Sequence, residues 1–220
     1  MTPGQLCSYC SATCIRKGTY KGVQFFRCGT CKRYQRSIYS YKARIPGTDQ
    51  RIILYVREGC GIRSMSRIMG IAVSTVIARI KMIATSLGPG YIPKGRSYEV
   101  DELATYVCNK KNRIWVAYAL DRKRKAVAAM RVGKRSKRTL RPLINTLVLA
   151  DAKRIQTDAL NLYHSLIPEP IHRVKRAGTN GIERMNLTLR THLKRLNRRT
   201  LCYSKSATML LACVQIYCWG

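Results

Sequence analysis

Apolar and polar side chains follow three different patterns along the chain. Residues 1–40 are rich in cysteine, glycine and aromatic residues, and the stretch TYKGVQFFRC predicts a β-hairpin. Over residues 48–87 apolar residues recur at helical spacing, which predicts three helices, in DQRIILYVREG, IRSMSRIMG and TVIARIKMIATSL. The stretch LGPGYIPKGRSY, rich in glycine and proline, predicts a linker. These patterns divide the chain into a first module (1–45), a helical module (46–87), a linker (88–97) and a C-terminal domain (98–220).

The C-terminal domain mixes strand and helix periodicities. Strands are predicted in SYEVDELATYV, RIWVAYAL and AVAAMRV, the last two joined by the charged turn DRKRK. A helix follows in SKRTLRPLINTLVLA, and its regular part is expected to begin near Pro142. Next come a short strand, RIQTDAL, ending at Asp158, a short helix over 160–166, a strand, IHRVKR, and a long helix. This order predicts an α/β (α+β) mixed sheet in which the first strand lies parallel to the fourth through a crossover.

Three of the few acidic residues in this domain are candidates for a metal site. Adjacent parallel strands would bring the carboxylates of Asp101 and Asp158 together, and each would raise the pKa of the other unless a cation lay between them. Mg²⁺ prefers such oxygen ligands. Glu183 would come from the long helix, on a face shared with Asn186, Arg190 and Lys194. An alternative stays open, in which Asp158 is a turn residue and Glu183 an acid favoured at a helix N-terminus.

Two other acids lie near these positions in the sequence. Strand alternation predicts that Glu102 points to the sheet face opposite Asp101, and Asp121 is expected to begin a hairpin turn. Neither residue is therefore expected to bind a metal.

The charge of the chain indicates a polyanionic partner. It has 42 Lys and Arg against 10 Asp and Glu, a net charge of +32, which favours nucleic acid. A basic structural protein is the alternative. The N-terminus lacks the apolar run of a signal peptide, and no apolar stretch approaches the roughly 18 residues that cross a bilayer. We therefore expect a reducing, intracellular compartment without a membrane partner, where clustered cysteines bind metal more often than they form disulfides.

Four cysteines of the first module have the spacing of a zinc site. Cys7 and Cys10 form one C-x2-C pair, 17 residues separate it from the next, and Cys28 and Cys31 form the second. Four thiolates leave no open position on the ion, so this zinc would be structural. Cys14 is a spare residue that would be able to replace one of the ligands.

The helical module has the pattern of a helix-turn-helix. Thr48 and Ser74 are candidate N-caps, and Gly70 is expected to end the second helix. In the third helix the apolar side chains form one stripe, and Arg79 and Lys81 lie outside it. A contact with the major groove of DNA would be made from their side of the helix. A three-helix packing unit without DNA contacts is the alternative.

Several motifs together resemble the insertion-sequence-one (IS1) family of transposases. They are EVDE, QTDAL and IERMNLTLRTHLKRLNRRTLCYSKS in the C-terminal domain, with 24 residues between Asp158 and Glu183. The CSYCSAT and CGTCKRY pairs and the stretch SMSRIMGIAVSTV are similar to the N-terminal half of the same family. The resemblance covers nearly the whole chain and identifies it as the fused, full-length form.

The resemblance implies a ribonuclease-H-like DDE catalytic domain after a four-cysteine zinc finger and a helix-turn-helix. Asp101, Asp158 and Glu183 would hold two Mg²⁺ or Mn²⁺ ions that assist 3′-end cleavage and strand transfer. The partners would be double-stranded DNA, as terminal inverted repeats and target, and further copies of the chain assembled on it in the cytoplasm of a prokaryotic cell. The residues expected to contact DNA are Ser74, Thr75, Arg79, Lys81, Arg184, Asn186, Arg190 and Lys194.

Two other functions remain open. A non-catalytic zinc-finger and helix-turn-helix repressor would use the same DNA-binding modules, with structural acids. A homing nuclease or ribonuclease-H-type hydrolase would share the metal site but lack strand transfer.

Overall fold

The first module is a three-stranded antiparallel sheet in the computed structural model, which describes residues 5–39, 41–88, 90–174, 180–197 and 199–220. Its strands lie in the order β1 (Cys14–Tyr20), β2 (Val23–Cys28), β3 (Tyr34–Arg36). Tyr20 pairs with Val23, so the first loop has two residues, Lys21 and Gly22, both with positive φ (48° and 76°). Two-residue hairpin loops favour such backbone angles, and the predicted hairpin is confirmed.

Three helices follow, after a 3₁₀ turn at Lys42–Arg44: α1 (Thr48–Arg57), α2 (Ile62–Met69) and α3 (Val73–Ser86). Gly70 ends α2 with φ 61°, the left-handed conformation that glycine adopts readily at this position. Taken singly, no helix in the described ranges is long and apolar enough to cross a membrane. Only α2 and α3 together reach that length and apolarity, across a 110° bend.

The two predicted N-caps in these helices are wrong. Gly47 precedes α1, and the buried Thr48 is its first residue, with a hydroxyl that donates to the carbonyl of Ile45 at 2.6 Å. Likewise α3 begins one residue before Ser74. Both side chains are therefore inside the first turn, where they cannot cap its N–H groups as predicted.

Five strands of the C-terminal half form one mixed sheet. They are β4 (Ser97–Val107), β5 (Asn109–Asp121), β6 (Ala126–Gly133), β7 (Arg154–Thr157) and β8 (His172–Val174), in the order β6-β5-β4-β7-β8. β4, β5 and β6 are antiparallel neighbours, whereas β7 is parallel to β4 and β8 is parallel to β7. The predicted parallel pairing of the first and fourth strands is confirmed. Residues 175 and 176 of the predicted strand IHRVKR lie outside the described residues.

Helices cover both faces of this sheet. They are α4 (Lys137–Leu149), α5 (Asn161–His164), α6 (Asn180–His192) and α7 (Ala207–Trp219), with 3₁₀ turns at Glu169–Ile171 and Lys194–Leu196. α4 and α5 pack on one face, against Tyr98, Val100, Ala117 and Ala119. α6 and α7 pack on the other, against Leu103, Val116, Tyr118 and Leu120. Alternate residues of β4 and β5 therefore belong to two different cores.

The beginning of α4 differs from the prediction. The helix starts at Lys137, and Pro142 lies inside it. Proline at this position removes one backbone hydrogen bond. Leu140, Leu143 and Ile144 are completely or almost completely buried against the sheet on either side of it, and this packing keeps the helix continuous.

The last helix, α7, belongs to two cores at once. Met209, Cys213 and Ile216 join the core of α1, α2 and α3, whereas Leu210 and Val214 join the core between α6 and the sheet. A helix that is apolar around its circumference is expected to be buried on several sides. The helical module and the sheet are thus connected through a shared helix as well as through residues 88–97.

Candidate active site

The parallel pairing of β4 and β7 brings two of the three predicted acids together. Asp101 lies within β4 and Asp158 directly follows β7, whose pairing with β4 ends at Glu99 opposite Gln156. Asp101, Asp158 and Glu102 each offer one carboxylate oxygen, and these three oxygens lie within 4.8 Å of one another. Hard carboxylate oxygens at this separation fit Mg²⁺ or Mn²⁺.

Glu102 was expected to lie on the face opposite Asp101 and to bind no metal; it does lie on that face, yet its carboxylate joins this group. Its side chain does leave β4 on the opposite side from that of Asp101, towards Arg135. β7 stops at Thr157, however, and no β7 residue pairs with β4 beyond Glu99. Around this uncovered strand edge, side chains from both faces of the sheet can approach each other.

Burial of Asp101 and Glu102 disfavours the charged forms of their carboxyl groups, and a bound cation would offset this effect. Burial raises the pKa of Asp101; the Asn186 amide and the Glu102 backbone N–H oppose that shift, and the charge of Asp158 adds to it. Burial also raises the pKa of Glu102. Because each shift opposes the charged form, a divalent ion among these oxygens would stabilise the ionised site.

A hydrogen-bonded chain holds Asp101 in place from α6. The Asn186 amide Nδ2 donates to Asp101 Oδ2 at 2.7 Å, and the Glu102 backbone N–H donates to Asp101 Oδ1 at 2.7 Å. The Tyr118 hydroxyl donates to Asn186 Oδ1 at 2.8 Å. Burial raises the pKa of Tyr118, so this hydroxyl stays a donor. Asn186 was predicted to contact DNA; its side chain is instead used to orient Asp101.

Arg135 is the cation beside the carboxylates, and the sequence analysis missed it. Its Nη2 lies 3.4 Å from Glu102 Oε2 and 3.7 Å from Asp158 Oδ2, and its side chain is 39% exposed. It belongs to the basic stretch KRSKR, which begins directly after β6 and continues into α4. A basic residue after β6, a strand separated from the acid-bearing β4 by β5, is a weak signal, because the chain has 42 Lys and Arg.

Glu183 lies on α6, one helical turn before Asn186, and is exposed. It is not a member of the carboxylate group found among the described residues. The start of its helix is fixed nonetheless, because the Ile182 N–H donates to Glu99 Oε2 at 2.8 Å, and Glu99 is itself ion-paired with Arg122 at 2.9 Å. The structure therefore brings Asp101 and Asp158 together and places Glu183 on the helix that contacts Asp101.

The residues of α3 that were predicted to contact DNA have different surroundings. Ser74 and Lys81 are exposed, and the Thr75 hydroxyl lies 3.0 Å from that of Tyr41. Arg79 is placed otherwise than predicted. Its Nη1 contacts both Asp49 carboxylate oxygens at 3.1 Å and its Nη2 donates to the Ala43 carbonyl at 2.7 Å. The Arg79 guanidinium thus links α3 to α1 and to the 3₁₀ turn that precedes α1.

The basic residues predicted at the end of α6 line a surface groove. Arg190 and Lys194 contribute to it together with Arg199. Lys194 and Arg199 are exposed. Arg184 is also exposed, one turn before Thr188 on the same helix. Three cations along one groove suit a phosphate backbone.

The four predicted cysteines meet in the first module. Their sulfurs lie within 4.8 Å of one another, with Cys7 and Cys31 at 3.6 Å and Cys10 and Cys28 at 3.5 Å. The backbone N–H of Cys31 lowers the pKa of the Cys28 thiol to about 6. Cys14 is buried beside them but outside this group, and burial raises the pKa of its thiol. The pKa of Cys7 is lowered as well, chiefly by the Tyr9 backbone N–H, and four sulfurs in this arrangement fit a tetrahedral zinc ion.

Comparisons with known proteins match two separate regions of the chain. Residues 97–217 match the family model described as IS1 transposase, and residues 39–83 match the one described as InsA C-terminal domain. The first of these matches covers more than half of the chain. It contains Asp101, Glu102, Asp158 and Glu183, and the second contains α1, α2 and most of α3.

Relatives in two bacterial genera resemble the C-terminal half. The insertion element IS1 4 protein InsB of Escherichia coli K12 is 40% identical over 111 residues, 50% of this chain and 66% of that protein. The IS1 2 protein InsB of the same strain is 42% identical over 108 residues, 49% and 65%. The IS1 protein InsB of Shigella flexneri is 39% identical over 111 residues, 50% and 85%. The chain thus spans slightly less than two thirds of these two E. coli relatives.

Proposed function

Because the chain belongs to the IS1 transposase family, we propose that it binds the terminal inverted repeats of its element and catalyses metal-dependent 3′-end cleavage and strand transfer. The observation that carries the proposal is the meeting of Asp101 and Asp158 at the edge of β4, inside the matched region. The order β6-β5-β4-β7-β8, with three antiparallel strands followed by two parallel ones, supports a ribonuclease-H-like fold for this domain.

Asp101 and Asp158 would hold the metal ions, and Glu183 would complete the site from α6. Two divalent ions, when bound, would supply an activated water and stabilise the leaving oxygen of the phosphate. The protein's own contribution is to position its carboxylates: Asn186 fixes the orientation of Asp101, and Tyr118 fixes Asn186. Carboxylates held in a preorganised cluster need little rearrangement to bind metal.

The DNA would lie across two basic surfaces. Ser74, Thr75 and Lys81 would contact the inverted repeat from α3, whereas Arg184, Arg190 and Lys194 would contact phosphates near the site. Arg79 is left out of this interface because its guanidinium is held by both Asp49 carboxylate oxygens and the Ala43 carbonyl, and Asn186 because its amide donates to Asp101. With a net charge of +32, binding should weaken steeply as salt rises. Assembly of several copies on DNA in the cytoplasm of a prokaryotic cell belongs to the same proposal.

Cys7, Cys10, Cys28 and Cys31 would bind one structural zinc ion. The first module has a small core, formed by Cys7, Cys14, Phe26 and Cys28. A module of this size cannot bury enough apolar area to be stable alone, so metal binding would supply folding energy. The zinc would thereby hold a DNA-binding surface in shape without taking part in the chemistry.

The test is cleavage of supercoiled DNA that carries the element's terminal repeats, with Mg²⁺ or Mn²⁺. We expect Asp158→Asn to abolish cleavage and leave DNA binding intact. Asp151→Asn is the matched control, because Asp151 is exposed, has φ 50° and lies outside the carboxylate group, and Asn tolerates that backbone angle. If Asp158→Asn cuts as well as the parent, the proposed active site is wrong.

A DNA-binding repressor without chemistry is the second candidate. The match of residues 39–83 to the InsA C-terminal domain favours it, because this region covers most of the helical module and none of the carboxylates of the candidate active site. If the parent binds the repeats but never cuts them, this function replaces the first. Cleaved products without joined molecules would instead indicate a hydrolase.

A further inference from the structure

We propose that Glu102 is a fourth metal-binding carboxylate of this site, and that Arg135 holds its place among the acids until a divalent ion binds. The inference rests on the proposed function, since it concerns the same metal centre. It adds a residue that the predicted triad of Asp101, Asp158 and Glu183 does not contain.

The position of Glu102 is the first support. One of its carboxylate oxygens lies within 4.8 Å of an oxygen of Asp101 and of an oxygen of Asp158. Asp101 approaches from the face that carries α6, and Glu102 from the face that carries α4 and α5. An ion at this strand edge would therefore have ligands from both faces of the sheet.

The burial of Glu102 is the second and independent support. Its side chain is 1% exposed, and its Oε1 is buried without a hydrogen-bond partner in the described structure. The hydroxyl of Tyr163 is buried as well, and among the described residues it too has no partner in hydrogen-bond geometry. A buried carboxylate oxygen without a partner is costly, and native proteins normally satisfy such groups with protein, water or an ion.

The contacts of Arg135 show how weakly the carboxylates are neutralised by the protein itself. Its Nη2 lies 3.4 Å from Glu102 and 3.7 Å from Asp158, both longer than a good charge-assisted hydrogen bond. One guanidinium faces three carboxylates, so the group keeps a net negative charge when ionised. A divalent ion carries twice that positive charge, and the half-exposed Arg135 can move aside to a DNA phosphate.

If Glu102 had only a structural role, different results would be expected for its variants. If Glu102 served only to anchor Arg135, then Glu102→Gln and Arg135→Gln would weaken the same DNA contact and leave metal affinity unchanged. If Glu102 binds the ion, the two variants act in opposite directions. Loss of the carboxylate removes a ligand, whereas loss of the guanidinium removes a competing cation.

The experiment measures Mn²⁺ binding to the zinc-loaded full-length chain without DNA, by electron paramagnetic resonance of free Mn²⁺. We expect Glu102→Gln to weaken Mn²⁺ affinity by at least about tenfold, the scale for residues that support a metal site. Arg135→Gln should strengthen it. Glu169→Gln is the matched control, because Glu169 is exposed in the same domain and outside the group, and it should bind like the parent.

The outcomes separate this inference from the proposed function. If Asp101→Asn and Asp158→Asn weaken binding but Glu102→Gln does not, the inference is wrong and the metal site stands. If the parent shows no saturable Mn²⁺ site, the proposed function fails with it. Should Glu102→Gln fold poorly by circular dichroism, Glu102→Asp decides, because it keeps the charge but withdraws the carboxylate by one methylene, and unchanged affinity in that variant overturns the inference.

Discussion

The cysteine group and the carboxylate group both join residues that are distant in the sequence, yet they depend on the fold in opposite ways. Four sulfurs meet within a module whose core contains only a few side chains. Three carboxylates meet at the edge of a sheet that has a large core on each face. Zinc would therefore create structure in the first module, whereas the sheet would hold its acids together against their mutual repulsion.

A metal site can therefore either stabilise a fold or be supported by it. Thiolates at a closed tetrahedral site contribute folding energy. Carboxylates held for catalysis lower the stability of the protein that carries them, until a cation arrives. The following predictions test whether the two groups differ in this way.

The largest effect is expected from Cys28→Ser. We expect loss of zinc and of ordered structure in residues 5–39, because structural zinc contributes about 10–16 kcal/mol in small domains. Zinc content and amide hydrogen exchange measure both. Cys14→Ser is the matched control in the same core, and it should retain zinc. Equal zinc loss in both variants would mean that Cys14 is a ligand.

A smaller effect is expected from Asn186→Ala. Its amide lowers the pKa of Asp101, so its removal should shift the acid limb of the pH–cleavage profile to higher pH and reduce cleavage by about tenfold below neutrality. Tyr118→Phe should act in the same direction and less strongly, because it frees the Asn186 amide without removing it. An unshifted profile in Asn186→Ala would show that this hydrogen bond does not tune the site.

Stability should hardly change in Asp158→Asn, in contrast to Cys28→Ser. The Asp158 side chain is 48% exposed, and its Oδ1 accepts the Leu160 N–H at 3.1 Å, which the amide oxygen of Asn can also do. The free energy of unfolding in urea should therefore change by less than about 1 kcal/mol. A loss comparable to that of Cys28→Ser would mean that the carboxylate group, too, is part of the structural framework.

The smallest effect is expected on the pH dependence of the free energy of unfolding. Burial raises the pKa of Asp101 above 3.8 and that of Glu102 above 4.5. The folded, magnesium-free protein then binds these protons more tightly than the unfolded chain. Their contribution to the free energy of unfolding is thus most favourable below the ordinary values and decreases as pH rises through the raised ones.

An Asp101→Asn, Glu102→Gln double variant isolates this contribution. Its free energy of unfolding should fall less steeply than that of the parent as pH rises from about 4 to about 7. Saturating Mg²⁺ should reduce the parent's slope towards that of the variant. Parallel curves for the two proteins without Mg²⁺ would show that burial of these acids does not reduce stability.

Much of this arrangement follows from local rules. Alternating strands, the DRKRK turn and the crossover rule predict that Asp101 and Asp158 are neighbours, and β4 and β7 do pair in parallel. Gly70 ends α2 as its conformational freedom predicts. These features depend on a few consecutive residues or on the general handedness and adjacency of strands, which a sequence reveals.

Other features depend on packing that no local pattern contains. The alternation rule placed Glu102 on the correct face of the sheet, but it could not show that the carboxylate reaches Asp101 and Asp158 around a strand edge that β7 ends too early to cover. Arg79 pairs with Asp49, a residue 30 positions earlier, which helical periodicity cannot predict. Pro142 is kept inside α4 by burial of its neighbours. Each case is a tertiary contact that overrides a local preference.

The double membership of α7 has a consequence for the order of events during synthesis. Ile52 and Ile80 of the helical module pack in one core with Cys213 and Ile216, which leave the ribosome more than 130 residues later. Until α7 has emerged, the apolar side of α1, α2 and α3 is only partly covered, and contacts over such long sequence separations form slowly. We therefore expect the helical module of a nascent chain to reach its full stability only after α7 has been synthesised, so that translation itself delays its encounter with DNA.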